Sequence, residues 1–254
     1  MATVSENKQF YESYNWALGG LEWSCQWGST STLWRKTLEP RLASYLPAAR
    51  TVEIGCGHGR ISEWLATQTT EHLYLFDIIE HCIDACAKRF ENKSGISCLL
   101  ADGSSLPGIS DSSVDLIVSF YSLVHANRET VEAYVTECER VLSANGVVFL
   151  HHSNAGAYYR PESAETDDRQ RLLAKYRDTS MSATCMREIA EENNLSCIYQ
   201  ECVNWDVEEI LADCFSTLVR PDSHHDRVYE MKLNHQFRRE MHLAKQHSTD
   251  GECQ

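Results

Sequence analysis

Thr51-Val52-Glu53-Ile54-Gly55-Cys56-Gly57-His58-Gly59-Arg60 is the stretch whose reading decides the fold. Val52 and Ile54 suit a pleated, buried strand. Gly55, Gly57 and Gly59 alternate, so the backbone can turn sharply and a ligand can approach without meeting a Cβ. Ile61, Trp64 and Leu65 then recur at helical spacing. A glycine loop between strand and helix leaves backbone N–H groups beside a ligand. Alone, such a loop also reads as an ordinary tight turn. The register of the following chain separates the two readings. His72 to Phe76 form a second apolar strand closed by Asp77, and Ile96 to Leu100 a third closed by Ala101-Asp102-Gly103. Val114 to Ser119 form a fourth, after the turn Ser110-Asp111-Ser112-Ser113. Each strand end carries a polar residue or a loop, and open α/β sheets bind ligands at that edge.

Further strands are expected over Val147 to His152, Leu195 to Val203 and Cys214 to Val219, and helices over residues 58–69, 80–91, 129–143 and 181–194. Ser182 is a candidate cap for the last of these. The acidic chain, with a formal net charge of −14, repels phosphate backbones, so nucleic acid is not an expected partner. No stretch approaches the length of a membrane span. The first residues, Met1-Ala-Thr-Val-Ser-Glu-Asn-Lys8, lack the apolar region of a secretory signal. The 11 cysteines form no C-x-x-C pair, and Cys82, Cys86, Cys98, Cys138, Cys197 and Cys202 sit in apolar segments. Free thiols in a reducing cytoplasm are the expectation. Cys82 and Cys86 lie one helical turn apart, but no second ligand pair supports zinc.

In order, Glu53-Ile-Gly-Cys-Gly-His-Gly59, Asp77, Asp102-Gly103 and Asp115-Leu-Ile-Val-Ser-Phe120 resemble the successive motifs of class I S-adenosylmethionine-dependent methyltransferases, over roughly residues 48 to 155. The resemblance implies an α/β, Rossmann-like fold with a seven-stranded, mostly parallel sheet, its last strand antiparallel, and helices on both faces. Glu53 and the backbone of Gly55 to Gly59 would surround the methionine part of the cofactor, Asp77 would take both ribose hydroxyls, and Asp102 would face the adenine amine. Cys56, Ile78, Gly103, Ser104, Ser119 and Trp27 complete the expected cofactor contacts. A dinucleotide fingerprint wants G-x-G-x-x-G, whereas here the third glycine comes one residue early and Glu53 would repel a pyrophosphate. This disfavours a nicotinamide-dependent oxidoreductase. A non-catalytic cofactor-binding protein is the other rival class.

The expected organisation is a helical cover over residues 1–48, a methyltransferase core over 49–220 with a lid insertion at 155–181, and a helical tail over 221–254. The cover is rich in tryptophan: Trp16, Trp23, Trp27 and Trp34. It reads either as packing or as a lid, with Trp27-Gly28-Ser29-Thr30 as its ligand-facing corner; tryptophan also suits sugar C–H surfaces. The insertion reads as a surface excursion or as an acceptor lid.

Methyl transfer to a hydroxyl requires alignment and loss of a proton, and histidine suits the second task. His151 and His152 end the fifth strand, and alternation sends their side chains to opposite faces. His152 leads as the last strand residue before the loop, with His151 and His125 as the other candidates. Trp27-Gly28, Glu39-Pro40-Arg41-Leu42, Ser122-Leu123-Val124-His125, His151-His152-Ser153-Asn154 and Asn204-Trp205 resemble bacterial sugar and polysaccharide O-methyltransferases. That resemblance implies a carbohydrate or other small-molecule acceptor and a divalent, magnesium-like metal, although Tyr121 stands where an acidic ligand would be wanted. The alternative is O- or N-methylation of another small metabolite or natural product, and a homo-oligomer is left open.

Overall fold

The computed structural model describes residues 3–206 and 208–247. Its strands are β1 (Ala48–Ile54), β2 (Thr69–Asp77), β3 (Ile96–Leu100), β4 (Val114–Ser119), β5 (Leu142–Ser153), β6 (Ser196–Val203), β7 (Asp213–Val219) and β8 (Glu230–Asn234). Among the described residues they form one eight-stranded sheet in the order β3-β2-β1-β4-β5-β7-β6-β8. β7 runs antiparallel to both β5 and β6, and every other neighbouring pair is parallel. The strand order reverses between β1 and β4, and in such sheets the crevice beyond the carboxyl ends at that point takes the ligand.

The helices are α1 (Val4–Ser13), α2 (Leu21–Cys25), α3 (Thr30–Leu33), α4 (Glu39–Leu42), α5 (Ser62–Gln68), α6 (Glu80–Arg89), α7 (Arg128–Val141), α8 (Asp168–Tyr176), α9 (Ala183–Glu192) and α10 (Phe237–Gln246). α7 presents Val131, Val135, Cys138 and Val141 to the sheet at helical spacing. The side chain of Asn127 caps its start by accepting from Thr130 N. Ser182 caps α9 in the same way, accepting from Cys185 N. α7 and α9 cover one face together with Val52, Ile54, Val148 and Leu150. The other face buries Leu33, Trp34 and Leu38 from the N-terminal segment, Ile61, Leu65, Cys86, and Phe237 and Met241 of α10, against Leu75, Val118 and Phe149. This two-sided burial explains why the central strands read as near-continuous apolar runs.

The sheet has eight strands where seven are expected, and the tail from residue 221 begins with a strand and not a helix. β8 carries Glu-Met-Lys-Leu-Asn and only Asn234 is buried, so a short charged edge strand leaves no alternation to read. Among the described residues nine cysteines are free thiols, including all six named above. Cys25 departs from that expectation, being disulfide-bonded. Among the described residues no helix is long and apolar enough to cross a membrane.

Candidate active site

The carboxyl ends of β1, β2 and β4 open onto a cavity of about 830 Å³. At one end lies the glycine loop. Gly55 N and Cys56 N both donate to Phe76 O, at 2.8 and 3.1 Å, so the loop leaves β1 bent toward β2. Gly55 has φ +78°, and a Cβ there would sit 2.1 Å from Ser122 Oγ. Gly57 has φ +53° and donates its N–H to Asp77 Oδ2 at 2.8 Å. Asp77 Oδ1 accepts from Ile79 N at 3.0 Å. Burial raises the Asp77 pKa, and the hydrogen bonds from the Gly57, Ile79 and Ile78 backbone oppose that rise.

Six of the expected cofactor residues line this cavity: Gly55, Cys56, Gly57, Asp77, Ile78 and Gly103. The other six are turned elsewhere. Glu53 is buried in β1 and accepts from Ser62 Oγ, and burial pushes its pKa up to about 7. Gly59 packs against Phe90 and Cys86. Asp102 is exposed and caps its own turn, accepting from Ser104 N and Ser105 N at 2.8 Å each; Ser104 is exposed beside it. Ser119 is buried and donates to Ile54 O at 3.0 Å, tying β4 to β1. Trp27 belongs to the core, edge-on to Trp205 with ring centroids 5.5 Å apart. The corner expected at Trp27 is therefore replaced by Trp16 and Trp23, which do line the cavity. Trp16 stacks on His58 at 4.7 Å, directly over the glycine loop.

Arg60 is a residue that sequence reasoning missed. It is only 9% exposed yet lines the cavity. Its guanidinium donates to Ser24 Oγ and makes no ion pair among the described residues. Burial lowers its pKa, while Tyr121 and Glu53 oppose that change. A buried cation facing a cavity without a carboxylate partner is suited to a ligand anion, because leaving it unpaired is costly. Its place one residue after Gly59 was the available signal.

At the other end, past the end of β4, the chain brings together Tyr121, His125, Arg177 and Asp206. Tyr121 has φ +63°, a conformation that non-glycine residues adopt mainly where surrounding structure enforces it. Three contacts do so. Tyr121 N donates to His151 Nδ1 at 3.2 Å. Its hydroxyl accepts from Gln26 Nε2 at 3.1 Å and from Trp205 Nε1 at 3.2 Å. With both lone pairs used, the Tyr121 O–H proton is left to donate. Arg177 is buried and pairs with both carboxylate oxygens of Asp213 and, at 2.6 Å, with Asp206 Oδ2. Burial alone would raise the Asp213 pKa, but Arg177 and His151 hold it well below the usual carboxylate range. Asp206 is the opposite case: its side chain is partly exposed, but desolvation in the cavity raises its pKa, Asp213 adds to the rise and Arg177 restrains it.

The three histidines separate by register. His151 shares a face with Phe149 and packs on Phe215 and Trp205 behind Tyr121, fully buried and outside the cavity lining. Its Nε2 faces Asp213 Oδ2 at 3.6 Å. His152, the leading candidate from sequence, points to the opposite face. Its Nε2 is 2.7 Å from Ser216 Oγ and its Nδ1 2.9 Å from Ser153 O, and burial lowers its pKa to about 4. With both nitrogens engaged inside the sheet it is a structural group. His125 lines the cavity. Its pKa falls to about 3, through burial first and then the neighbouring Arg177.

The methyltransferase-domain family matches residues 52–150, which span the glycine loop, Asp77 and the end of β4. No curated protein matches the chain. A candidate sarcosine dimethylglycine methyltransferase from Galdieria sulphuraria shares the fold with a TM-score of 0.54 at 17% identity, over 67% of this chain and 63% of that one. This chain thus spans less than two thirds of that protein's length. An S-adenosylmethionine-dependent methyltransferase from Aquifex aeolicus gives 0.52 at 14% identity, over 76% of this chain and 94% of that one. One from Leishmania major gives 0.61 at 12% identity, over 84% and 82%. The domain match falls on the loop and strand ends that build the cavity, so residues 52–150 resemble a methyltransferase domain, and the solved structures share the fold.

Proposed function

We propose that the protein is an S-adenosylmethionine-dependent methyltransferase that methylates a hydroxyl of a small acceptor, in the first instance a sugar or glycan intermediate. The observation that carries this is the polar cluster of Tyr121, His125 and Asp206 at the end of the cavity past β4. S-adenosylmethionine supplies an electrophilic methyl on a sulfonium. The residues present fit it: Asp77 for the ribose hydroxyls, Ile78 and Ile79 for the adenine faces, Gly57 for the methionine chain and Arg60 for its carboxylate. At the acceptor end, Tyr121 donates a hydrogen bond and Asp206 accepts one. Arg177 with its two aspartates leaves one negative charge in excess there, which disfavours acidic acceptors. Trp23 offers an aromatic face of the kind that covers sugar C–H surfaces. The part of the N-terminal segment from Val4 to Gln26 serves as the cover of the site, and α8 in the insertion closes the acceptor side.

An acceptor panel with labelled cofactor tests this reading. Neutral sugars, glycan fragments, phenols, amines and carboxylates are compared by release of S-adenosylhomocysteine. Turnover on neutral hydroxyl compounds is expected to exceed that on acids and amines. Preference for an amine would move the assignment to N-methylation, which the excess negative charge would also suit.

The Arg60 assignment has its own test. Arg60→Met is expected to weaken S-adenosylmethionine binding by about 1.5–3 kcal/mol, the range for a hydrogen bond to a charged group. It should leave the binding of decarboxylated S-adenosylmethionine unchanged. Equal losses with both compounds would place the carboxylate elsewhere.

A further inference from the structure

We propose that His58, His81 and Cys82 form a binding site for a borderline-soft divalent ion of the zinc type, between the glycine loop and the start of α6. Their ligand atoms all lie within 4.8 Å of one another. Cys82 Sγ is 3.7 Å from His81 Nδ1, and the His58 and His81 rings are 6.0 Å apart. In a tetrahedral zinc site, bond lengths near 2.0–2.3 Å put ligand atoms about 3.3–3.6 Å apart, so side-chain rotation of roughly 1 Å completes the set. Two imidazoles and one thiol match this ion class, and three protein ligands leave a fourth position open.

A second, independent observation points the same way. His58 Nε2 is buried and has no hydrogen-bond partner. An unpartnered buried nitrogen is costly, and an ion would satisfy it. Trp16 stacks flat on the His58 ring and fixes its plane. His81 is exposed, which gives an ion a route in. Cys86, one helical turn from Cys82, is not part of the set, and the pairing of Cys82 with two histidines was not read from the sequence. Cys86 Sγ instead contacts Gly57 O and Cys56 Sγ.

The site is also joined to the cofactor cavity, because His58 lines that cavity. An ion held there fixes the loop that carries Gly57, so ion and cofactor occupancy are linked, and linkage is reciprocal. That second part rests on the cofactor reading above; ion binding itself does not, and is measured without cofactor.

The test uses the full chain without a histidine tag, stripped with a chelator. Calorimetry with Zn²⁺ should show one ion per chain, with affinity weakened at least tenfold in His81→Ala and in Cys82→Ser. Co²⁺ should give a sulfur-to-cobalt charge-transfer absorption in the parent chain that is absent from Cys82→Ser. His81 is exposed, so its variant is expected to fold. Absence of Zn²⁺ binding, or binding unchanged in both variants, would overturn the site. The second result would point to another pair such as His224 and His225. S-adenosylmethionine affinity should differ with and without Zn²⁺ in the parent chain and not in His81→Ala. Equal affinities in the parent would overturn the linkage.

Discussion

Asp77→Ala is expected to weaken S-adenosylmethionine binding by about 1.5–3 kcal/mol, roughly tenfold to 150-fold, in a chain that still folds. The carboxylate has two jobs. Each oxygen accepts one backbone N–H, from Gly57 and from Ile79, which fixes the glycine loop against the end of β2. Each oxygen has a further lone pair, and in the proposed role ribose hydroxyls would donate to them. Alanine removes the hydroxyl acceptors and frees the loop in one step. Asp77→Asn separates the two contributions, since its carbonyl oxygen can keep one loop bond and its amide cannot accept. It should fall between the parent and alanine. Affinity should also fall at low pH. Burial raises the Asp77 pKa, so protonation starts above the usual carboxylate range and removes the charge that binds the hydroxyls. Calorimetry on both variants, with thermal melts to confirm folding, checks this. Unchanged affinity in folded Asp77→Ala would end the assignment of Asp77 to the ribose.

The cofactor end was legible in sequence because one continuous segment builds it. β1, the loop and β2 succeed one another, so Gly55, Gly57 and Asp77 could be placed from strand ends alone. The limits of that reading appear one residue either side. Glu53 and Ile54 are adjacent, and the pleat that gives Val52 and Ile54 to one face turns Glu53 to the other, toward Ser62. Asp102 precedes the lining residue Gly103, but its short side chain is captured by its own turn. The tryptophans show a different limit. Trp16, Trp23, Trp27 and Trp34 look alike in a polar, irregular segment, and only tertiary packing sends the first two to the cavity and the last two to the core.

The acceptor end was largely illegible for a further reason. Tyr121 and His125 share the connection between β4 and α7, but Arg177 follows α8 and Asp206 follows β6, and no spacing connects these three segments. Pleat parity did predict that His151 and His152 face opposite ways. It could not show that β7 would cover both, through Phe215 against His151 and Ser216 against His152. The antiparallel insertion of β7 beside β5 thus turns two histidines at an expected ligand edge into buried groups. Tyr121 had a readable signal, its place just past the carboxyl end of β4.

Asp206→Asn is expected to lower kcat by about 10²–10⁴-fold, the usual contribution of a general base, with cofactor affinity unchanged. The proposal that Asp206 takes the acceptor proton follows from comparing the two groups that line the cavity and could do so. His125 is neutral at any working pH, since its pKa is lowered to about 3, but for the same reason its conjugate acid is strong and it holds a proton weakly. A base is most effective with a pKa near the operating pH. Asp206, although partly exposed, is shifted toward that optimum by the desolvation of its cavity-facing carboxyl and by Asp213, while Arg177 keeps one of its oxygens in place at 2.6 Å. His125→Ala should therefore cost less than Asp206→Asn. The pH profile distinguishes them independently. A carboxylate base is inactive when protonated, so kcat/KM should rise with pH through the Asp206 pKa, above the usual carboxylate range. A His125 base would place that limb near 3, and the acid side of the profile would be flat down to that point. Asp206 also pairs with Arg177, so loss of turnover could come from a displaced guanidinium. Asparagine keeps an oxygen that Arg177 can hold, and Asp206→Glu restores the carboxylate on a longer arm. Partial rescue of turnover by glutamate, with the acid limb present in glutamate and absent in asparagine, is the expected pattern. Near-parent turnover of Asp206→Asn at saturating acceptor would leave alignment alone to carry the transfer.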